Sequence, residues 1–386
     1  MPKHICFLLD FYPTADNEAC IFAKNLIYAI AEKGIQCTVI SPQPITPDSL
    51  RKKYPYHREE FTDKGQKIDI YMPYYVYATS KKVAIKISMN NHYHAVLRTL
   101  QKNHIQPDVM YGHFFFQCGL TASRVGKKLH IPSYCACGEN STRLFKDSQP
   151  YATGLRYANW KSIIQDLTGI ISVSSYNKQL LIENGFASEE QKIGTFPNAI
   201  DPKRFHPMDR TEARKTLGLP QDVFAVVFNG AYTERKGFKV ICEALEQCEN
   251  VYSIFIGSDA IKPTCKNVLF SGRLAPENVP QYLAAANVFV LPTLGEGCCN
   301  AIVEALACGL PVISSNLPFN DDILDDECSI RVEPKDAVQI ADAIKLLEND
   351  EKKRVLMAEK ALKKAEILQL DRRAAMILEF MGINND

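Results

Sequence analysis

No stretch of this 386-residue chain approaches eighteen consecutive apolar residues, so no segment reads as a membrane-spanning helix. The amino terminus, MPKHICFLLDFYP, holds only Ile5–Leu9 as a continuous apolar run, too short for the core of an export signal. Paired-cysteine knuckles are also missing. The thirteen cysteines include no C-x-x-C, and the nearest spacings are Cys135 with Cys137 and Cys298 with Cys299. An odd count without a repeating pattern, in a chain too long to need staples, argues for reduced thiols and a reducing cytoplasm. Net charge is nearly absent: 45 Lys+Arg face 44 Asp+Glu, a formal +1, which gives no global reason to expect nucleic acid as partner. Neither repeats nor low-complexity tracts occur.

What is present is an alternation. A hydrophobic fraction of 46% and a charged fraction of 23% describe a folded chain, and the length favours two domains. Short apolar runs alternate with longer amphipathic stretches, the pattern of βαβ units and parallel sheets covered on both faces. The first half predicts strands at Ile5–Leu9, Ile35–Ile40, Asp108–Tyr111, Ser133–Cys137, Gly169–Val173 and Lys192–Phe196. The second half restarts the pattern at Val223–Phe228 and carries it through Ser329–Val332. Three prolines between Pro197 and Pro207 interrupt the periodicity. The expected division is therefore a first α/β domain over 1–196, a linker over 197–207, a second over 208–365 and a terminal helix within 366–386.

The neutral total conceals an asymmetry. Residues 1–200 contain 23 Lys+Arg and 16 Asp+Glu, whereas 201–386 contain 22 and 28. The excess sits in residues 51–102, with 11 Lys+Arg against 4 Asp+Glu and tyrosines 54, 56, 71, 74, 75 and 77 interleaved. Two readings stay open: a solvated surface, or an electropositive, aromatic-rich face for anionic lipid or a pyrophosphate-bearing acceptor.

The most informative run is LPTLGEGCCNAIVEALACGLPVISS, from Leu291 to Ser315. It ends a strand, turns and opens a helix, so free amides near Cys298, Cys299 and Asn300 could hold a diphosphate. Glu296 lies in the turn, and Glu304 lies eight residues on, where a carboxylate can accept from a ribose diol. This context resembles the family 4 glycosyltransferases, whose E-x7-E element Glu296 and Glu304 match. Further matches follow in family order: Phe228–Gly237 (FNGAYTERKG), Ser271–Arg273, Ala286–Pro292, and upstream Ile170–Ser174 and Phe196–Phe205.

The resemblance implies a retaining transferase of GT-B architecture, two Rossmann-like domains facing across a cleft, with the donor on the second and the acceptor on the first. Carried over residue by residue, Glu296 contacts the donor sugar, Glu304 the ribose and Lys236 the diphosphate, with Glu296 and Lys236 as the catalytic pair. Gly230, Arg235, Arg273, Gly297, Cys298, Cys299 and Asn300 complete the donor set. Acceptor-side candidates are Cys20, His113, Cys137, Gly138, Glu139 and Asn140. Singly, each has a plain alternative: a glutamate complementing a helix dipole, a solvated helix position, an exposed turn lysine, a structural histidine.

The expected co-substrate is a UDP- or GDP-linked sugar, with no metal or other cofactor, and the acceptor a saccharide, free or lipid-linked, in cell-surface polysaccharide or glycolipid assembly at the inner face of the membrane. Three departures stand out. Ala231 replaces the arginine that often follows the turn glycine, leaving Arg235 as second cation; Cys20 stands where a family variant has glycine; and the His-Gly-x-Asp element is Cys137-Gly138-Glu139-Asn140. Alternatives are a nucleotide-sugar epimerase or hydrolase on the same fold, or a non-catalytic nucleotide-sugar-binding protein. Cys20, Cys137, Cys298 and Cys299 lie in or beside these motifs, where alkylation is expected to impair activity.

Overall fold

The computed structural model describes residues 3–14, 20–52, 54–77, 82–138, 160–258 and 260–383. The chain forms two compact units, Met1–Phe196 with Arg373–Asp386, and Pro197–Arg372.

The strands of the first unit are β1 (His4–Leu8), β2 (Gln36–Ile40), β3 (Gln43–Pro44), β4 (His57–Phe61), β5 (Lys67–Tyr71), β6 (Tyr74–Tyr75), β7 (Val109–His113), β8 (Ser133–Cys137), β9 (Gly169–Ser172) and β10 (Ile193–Thr195). Eight of them form one sheet in the order β10-β9-β8-β7-β1-β2-β5-β4. All neighbours are parallel except the edge pair β4 and β5. β1, β7 and β8 are buried at every position, which is why their sequences read as continuous apolar runs. Edge strand β4, HREEF, instead alternates exposed and half-buried residues. The chain's last helix, Leu370–Phe380, packs in this unit through Phe380, whose ring meets those of Tyr134 and Phe196.

The second unit holds β11 (Phe224–Asn229), β12 (Val251–Ile256), β13 (Val268–Gly272), β14 (Val288–Leu291), β15 (Val312–Ser315) and β16 (Ser329–Val332), all parallel in the order β13-β12-β11-β14-β15-β16. This is the doubly wound arrangement, with its topological switch point between β11 and β14. Residues 197–207, expected as a linker, lie in this unit, where Ile200 bridges Gln369 and exchanges backbone bonds with Leu368 and Leu370. Two helices absent from the sequence reading, Arg210–Leu217 and Glu351–Ile367, start at Asp209 and Asp350, whose side chains accept from the amides of Glu212 and Lys353.

Candidate functional site

Ligands of doubly wound sheets collect at the carboxyl ends of the strands beside the switch point. Here two loops leave from that place. The loop after β11 runs through Gly230 to a short turn, Glu234–Lys236, and then into the helix Phe238–Glu246. The loop after β14 runs through Thr293 and Glu296 into the helix Asn300–Ala307.

The loops are locked together. Leu294 N donates to Arg235 O (2.7 Å), and Thr293 Oγ1 lies 3.1 Å from the same carbonyl. Gly237 adopts φ +74°, and a Cβ there would lie 2.4 Å from Pro292 O, so both the conformation and the approach demand glycine. At Gly257, which follows β12, a Cβ would lie 1.9 Å from Gly230 O. Gly257 therefore lets the ends of β11 and β12 close.

This scaffold brings three donors to one oxygen. Glu296 Oε1 lies 2.7 Å from Arg235 Nη1 and 2.7 Å from Lys236 Nζ, and it accepts from Thr293 Oγ1 at 3.0 Å. The Lys236 and Glu296 side chains are only 13% and 14% exposed. Burial opposes the lysine charge, but the Cys299 sulfur and the Glu296 carboxylate outweigh it, and the Lys236 pKa lies above the ordinary lysine value. Because burial raises the Cys299 thiol to about 11, that sulfur is uncharged at neutral pH, and Glu296 is the working counter-ion. Arg235 thus supplies a second cation, and it also donates to Gly295 O (2.7 Å).

The helix Asn300–Ala307 starts at Cys299, directly after the turn that carries Glu296. One turn further along, Glu304 accepts from Asn229 Nδ2 at 3.4 Å. Burial raises its carboxyl to about 7, against the opposing charges of Arg204 and Lys236. Cys298 is buried and latched to Asn198, which donates from N to its sulfur (3.2 Å) and from Nδ2 to its carbonyl (3.0 Å). Lys236, Arg235, Glu296, Glu304, Gly230 and the 297–300 turn thus assemble at one strand-end region, whereas Arg273 stands exposed just after β13, two strands from β11. Thr293, Asn229, Arg204 and Gly257 had no assigned role in the sequence. A glycine directly after a buried strand was the available signal for Gly257. A cavity of about 370 Å³ lined by Arg210, Arg214 and Asn287 lies instead at the amino ends of β11 and β14, where Arg214 is spent on Ala285 O, Gln221 O and Asn287 Oδ1.

In the first unit, His113 ends β7, buried, with its ring against Phe22 and Phe114. Burial, reinforced by Arg373, lowers its pKa to about 3, so it is a neutral imidazole. Cys20 caps the helix Ile21–Ala31 in the left-handed region, φ +64° and ψ 23°, the conformation that suits the glycine it replaces. Cys137 corrects the sequence reading. It lies wholly inside the hydrophobic core, its carbonyl accepting from Asn177 Nδ2, and presents no side chain at the strand end. Gly138 follows it, while Glu139 and Asn140 lie outside the described residues. All thirteen cysteines are free, and of the four near motifs only Cys20 is not buried, which removes the expected ready alkylation of Cys137, Cys298 and Cys299.

Part of the basic tract is neutralised internally, since Glu60 pairs with Lys24 and Arg58, and Lys67 pairs with Glu59 and Asp69. Leu50, Val76 and Ile87 remain at least half exposed beside it. Among the described residues no helix is long and apolar enough to cross a membrane.

Residues 209–364 match the family model described as glycosyl transferases group 1, and residues 21–204 match that of glycosyltransferase family 4. The chain is 25% identical over 358 residues, 90% of its own length and 90% of the relative's, to TuaC of Bacillus subtilis (strain 168), provisionally named a teichuronic acid biosynthesis glycosyltransferase. Among solved structures it is similar to the sucrose-phosphate synthase of Thermosynechococcus elongatus, with TM-score 0.75 and 18% identity over 98% of both chains. Anabaena HepE in complex with UDP and glucose matches with TM-score 0.71 and 17% identity, covering 98% of this chain and 99% of that one. The structural likeness gives the architecture a name, GT-B.

Proposed function

From the premise that the chain belongs to the family 4 glycosyltransferases and is a transferase, we propose that it moves a sugar from a nucleotide-sugar to a hydroxyl with retention at the anomeric carbon. The observation that carries this reading is the convergence of Arg235, Lys236 and Thr293 on Glu296 Oε1, beside an uncapped helix start at the switch point. Two cations beside a helix N-terminus form a seat for a diphosphate. Negative charge that develops on the leaving diphosphate is stabilised by groups already in place, so catalysis is chiefly electrostatic and the donor seat works without a metal.

Glu296, held at the seat by three donors, is the acceptor for hydroxyls of the donor sugar. Glu304, in its ionised form, accepts from the ribose. The leaving diphosphate helps take the proton of the incoming hydroxyl on the same face, and no carboxylate is assigned as a nucleophile. The acceptor is read as a saccharide, free or lipid-linked, in cell-surface polysaccharide or glycolipid synthesis, a setting supported by the likeness to TuaC. The exposed Leu50, Val76 and Ile87 beside the basic tract support peripheral contact with an anionic membrane on the cytoplasmic side.

The test is nucleotide release from a panel of UDP- and GDP-sugars with and without candidate acceptors, with the product anomer read by NMR. Acceptor-dependent release with retained configuration is expected, falling by one or more orders of magnitude in Lys236→Ala and Glu296→Ala. Wild-type rates in both variants refute the assignment. An isomerised donor points to an epimerase, and acceptor-independent release to a hydrolase.

A further inference from the structure

The first unit holds a mixed nitrogen, sulfur and oxygen cluster to which the proposed transfer assigns no role. Asp10 follows β1, Cys118 lies in the kinked turn Phe115–Gly119 after β7, and His92 lies on the helix Lys82–Lys102. One ligand atom from each lies within 4.8 Å of the other two, and Cys118 Sγ donates to an Asp10 carboxylate oxygen at 3.1 Å.

The histidine gives a second, independent sign. His92 is 1% exposed, and its Nδ1 is engaged with Thr121 Oγ1 at 2.8 Å. Its Nε2 is buried and has no hydrogen-bond partner. A buried polar atom left unsatisfied is costly, and this one belongs to a ring that reaches both a thiol and a carboxylate, which calls for a ligand. Fixing one ring nitrogen by a hydrogen bond while the other stays open is how metal-binding histidines are oriented.

The turn that delivers Cys118 is also built at a cost. Phe114 and Gln117 have φ of +70° and +53°, conformations that persist only where the surroundings impose them. Gly112 permits it, since a Cβ there would lie 2.6 Å from the Cys118 carbonyl. Tyr75 walls one side, edge-on to His92 with centroids 5.2 Å apart, and donates to Gln117 Oε1 at 2.9 Å.

We propose that Asp10, His92 and Cys118 form a zinc site. An imidazole, a thiolate and a carboxylate are the ligand types of tetrahedral zinc, and three protein ligands leave the fourth position for water or another oxygen ligand. Tetrahedral donors stand about 3.5 Å apart at zinc bond lengths, so the trio needs to adjust by only about 1 Å. On binding, Cys118 loses its thiol proton to solvent, and the Asp10 oxygen that accepts from the thiol turns to the metal. The ion ties the β1 loop, the kinked turn and the long helix together.

The experiment uses the full chain, stripped with a chelator under reducing conditions and titrated with Co²⁺ as the spectroscopic probe and Zn²⁺ against a chromophoric chelator. The expected result is one ion per chain, a thiolate-to-cobalt charge-transfer band and release of a proton. Cys118→Ser should abolish the band, and His92→Gln and Asp10→Asn should each weaken Zn²⁺ at least tenfold. Because Cys118 and His92 are core residues, folding is checked by circular dichroism, and Asp10→Asn at the half-buried rim carries the test if either variant unfolds. An unchanged band in Cys118→Ser would assign the ion to another thiol and overturn the proposal. So would unchanged affinity in Asp10→Asn, or the absence of stoichiometric binding, which would leave a buried water at His92.

Discussion

Glu304 offers the most quantitative check on the donor site. Its carboxyl is held at about 7, against 4.5 for an unperturbed glutamate, chiefly because the helix Asn300–Ala307 buries it near β11. A carboxyl with a raised folded pKa binds its proton more tightly in the folded chain than in the unfolded one. Its contribution is therefore most favourable below about pH 4.5 and is lost as pH rises to about 7. The shift corresponds to about 3 kcal/mol, at 1.36 kcal/mol per unit. Glu304→Gln keeps the shape and an acceptor for Asn229 but cannot ionise. Urea denaturation of both proteins from about pH 4.5 to 8 isolates the term, because every other titrating group is shared. The variant should gain stability relative to wild type as pH rises, by about 3 kcal/mol across the window. Parallel profiles would show that the carboxyl titrates as an exposed one and that its burial is not what the fold enforces. The same charge change should appear in donor binding, since only the ionised form accepts two hydroxyl bonds: wild-type affinity should climb through about pH 7 and that of the variant should stay flat.

Three further outcomes follow from particular positions. Gly237→Ala should cost about 3 kcal/mol, combining left-handed strain with displacement of Pro292 O, and should lower turnover by moving Arg235 and Lys236; a loss under about 1 kcal/mol in chemical denaturation refutes the geometry. Cys20→Gly should stabilise by about 0.5–1 kcal/mol, the relief of left-handed strain less the greater freedom of an unfolded glycine, and a destabilised variant would show that the thiol's contacts outweigh the strain. His113, neutral when folded with a pKa of about 3, contributes stability that is complete above about pH 6.5 and is lost as pH falls; His113→Phe should flatten acid unfolding between about pH 6.5 and 4, and an unchanged acid limb rejects its burial.

The alternation that announced two parallel sheets was legible because buried strands leave little choice of residue. Ser133–Cys137, Val288–Leu291, Ser329–Val332 and the helix Asn300–Ala307 fall where the apolar runs place them. The hairpin of β4 and β5 escaped detection for the converse reason. As a half-exposed edge, its HREEF strand reads as part of a basic surface tract, although Glu60 is the centre of an ion cluster with Lys24 and Arg58. The helix Glu351–Ile367 was hidden by its charge, since only a thin stripe of Met357, Ala361 and Ala365 is buried. At the site, residue identity carried Glu296, Lys236 and Arg235. The supports Thr293 and Gly257 depend on distances between loops far apart in sequence, which no local pattern encodes.

The near-neutral total charge, and even the acidic balance of residues 201–386, prove poor guides to the donor site because they average over distances at which charges no longer act. Exposed carboxylates more than about 8 Å away are largely screened at physiological ionic strength, whereas Lys236 and Arg235 each stand 2.7 Å from the same oxygen, with Lys236 and Glu296 largely shut from water. Without donor, Glu296 neutralises one of the two cations, and Glu304 is largely protonated below about pH 7, so the cluster keeps a net positive charge at the start of an uncapped helix. On the proposed function, a diphosphate entering that seat would compete with Glu296 for both cations. The carboxylate would then be freed toward the sugar as the cations turn to the phosphates, so the ion pair would also supply the groups that donor binding redistributes. Glu296→Gln separates the two roles: it should retain the loop geometry through Thr293 and tighten nucleoside-diphosphate binding by removing the competitor, while lowering turnover. Weaker diphosphate binding in that variant would mean that Glu296 only positions the cations, and the redistribution would have to be abandoned.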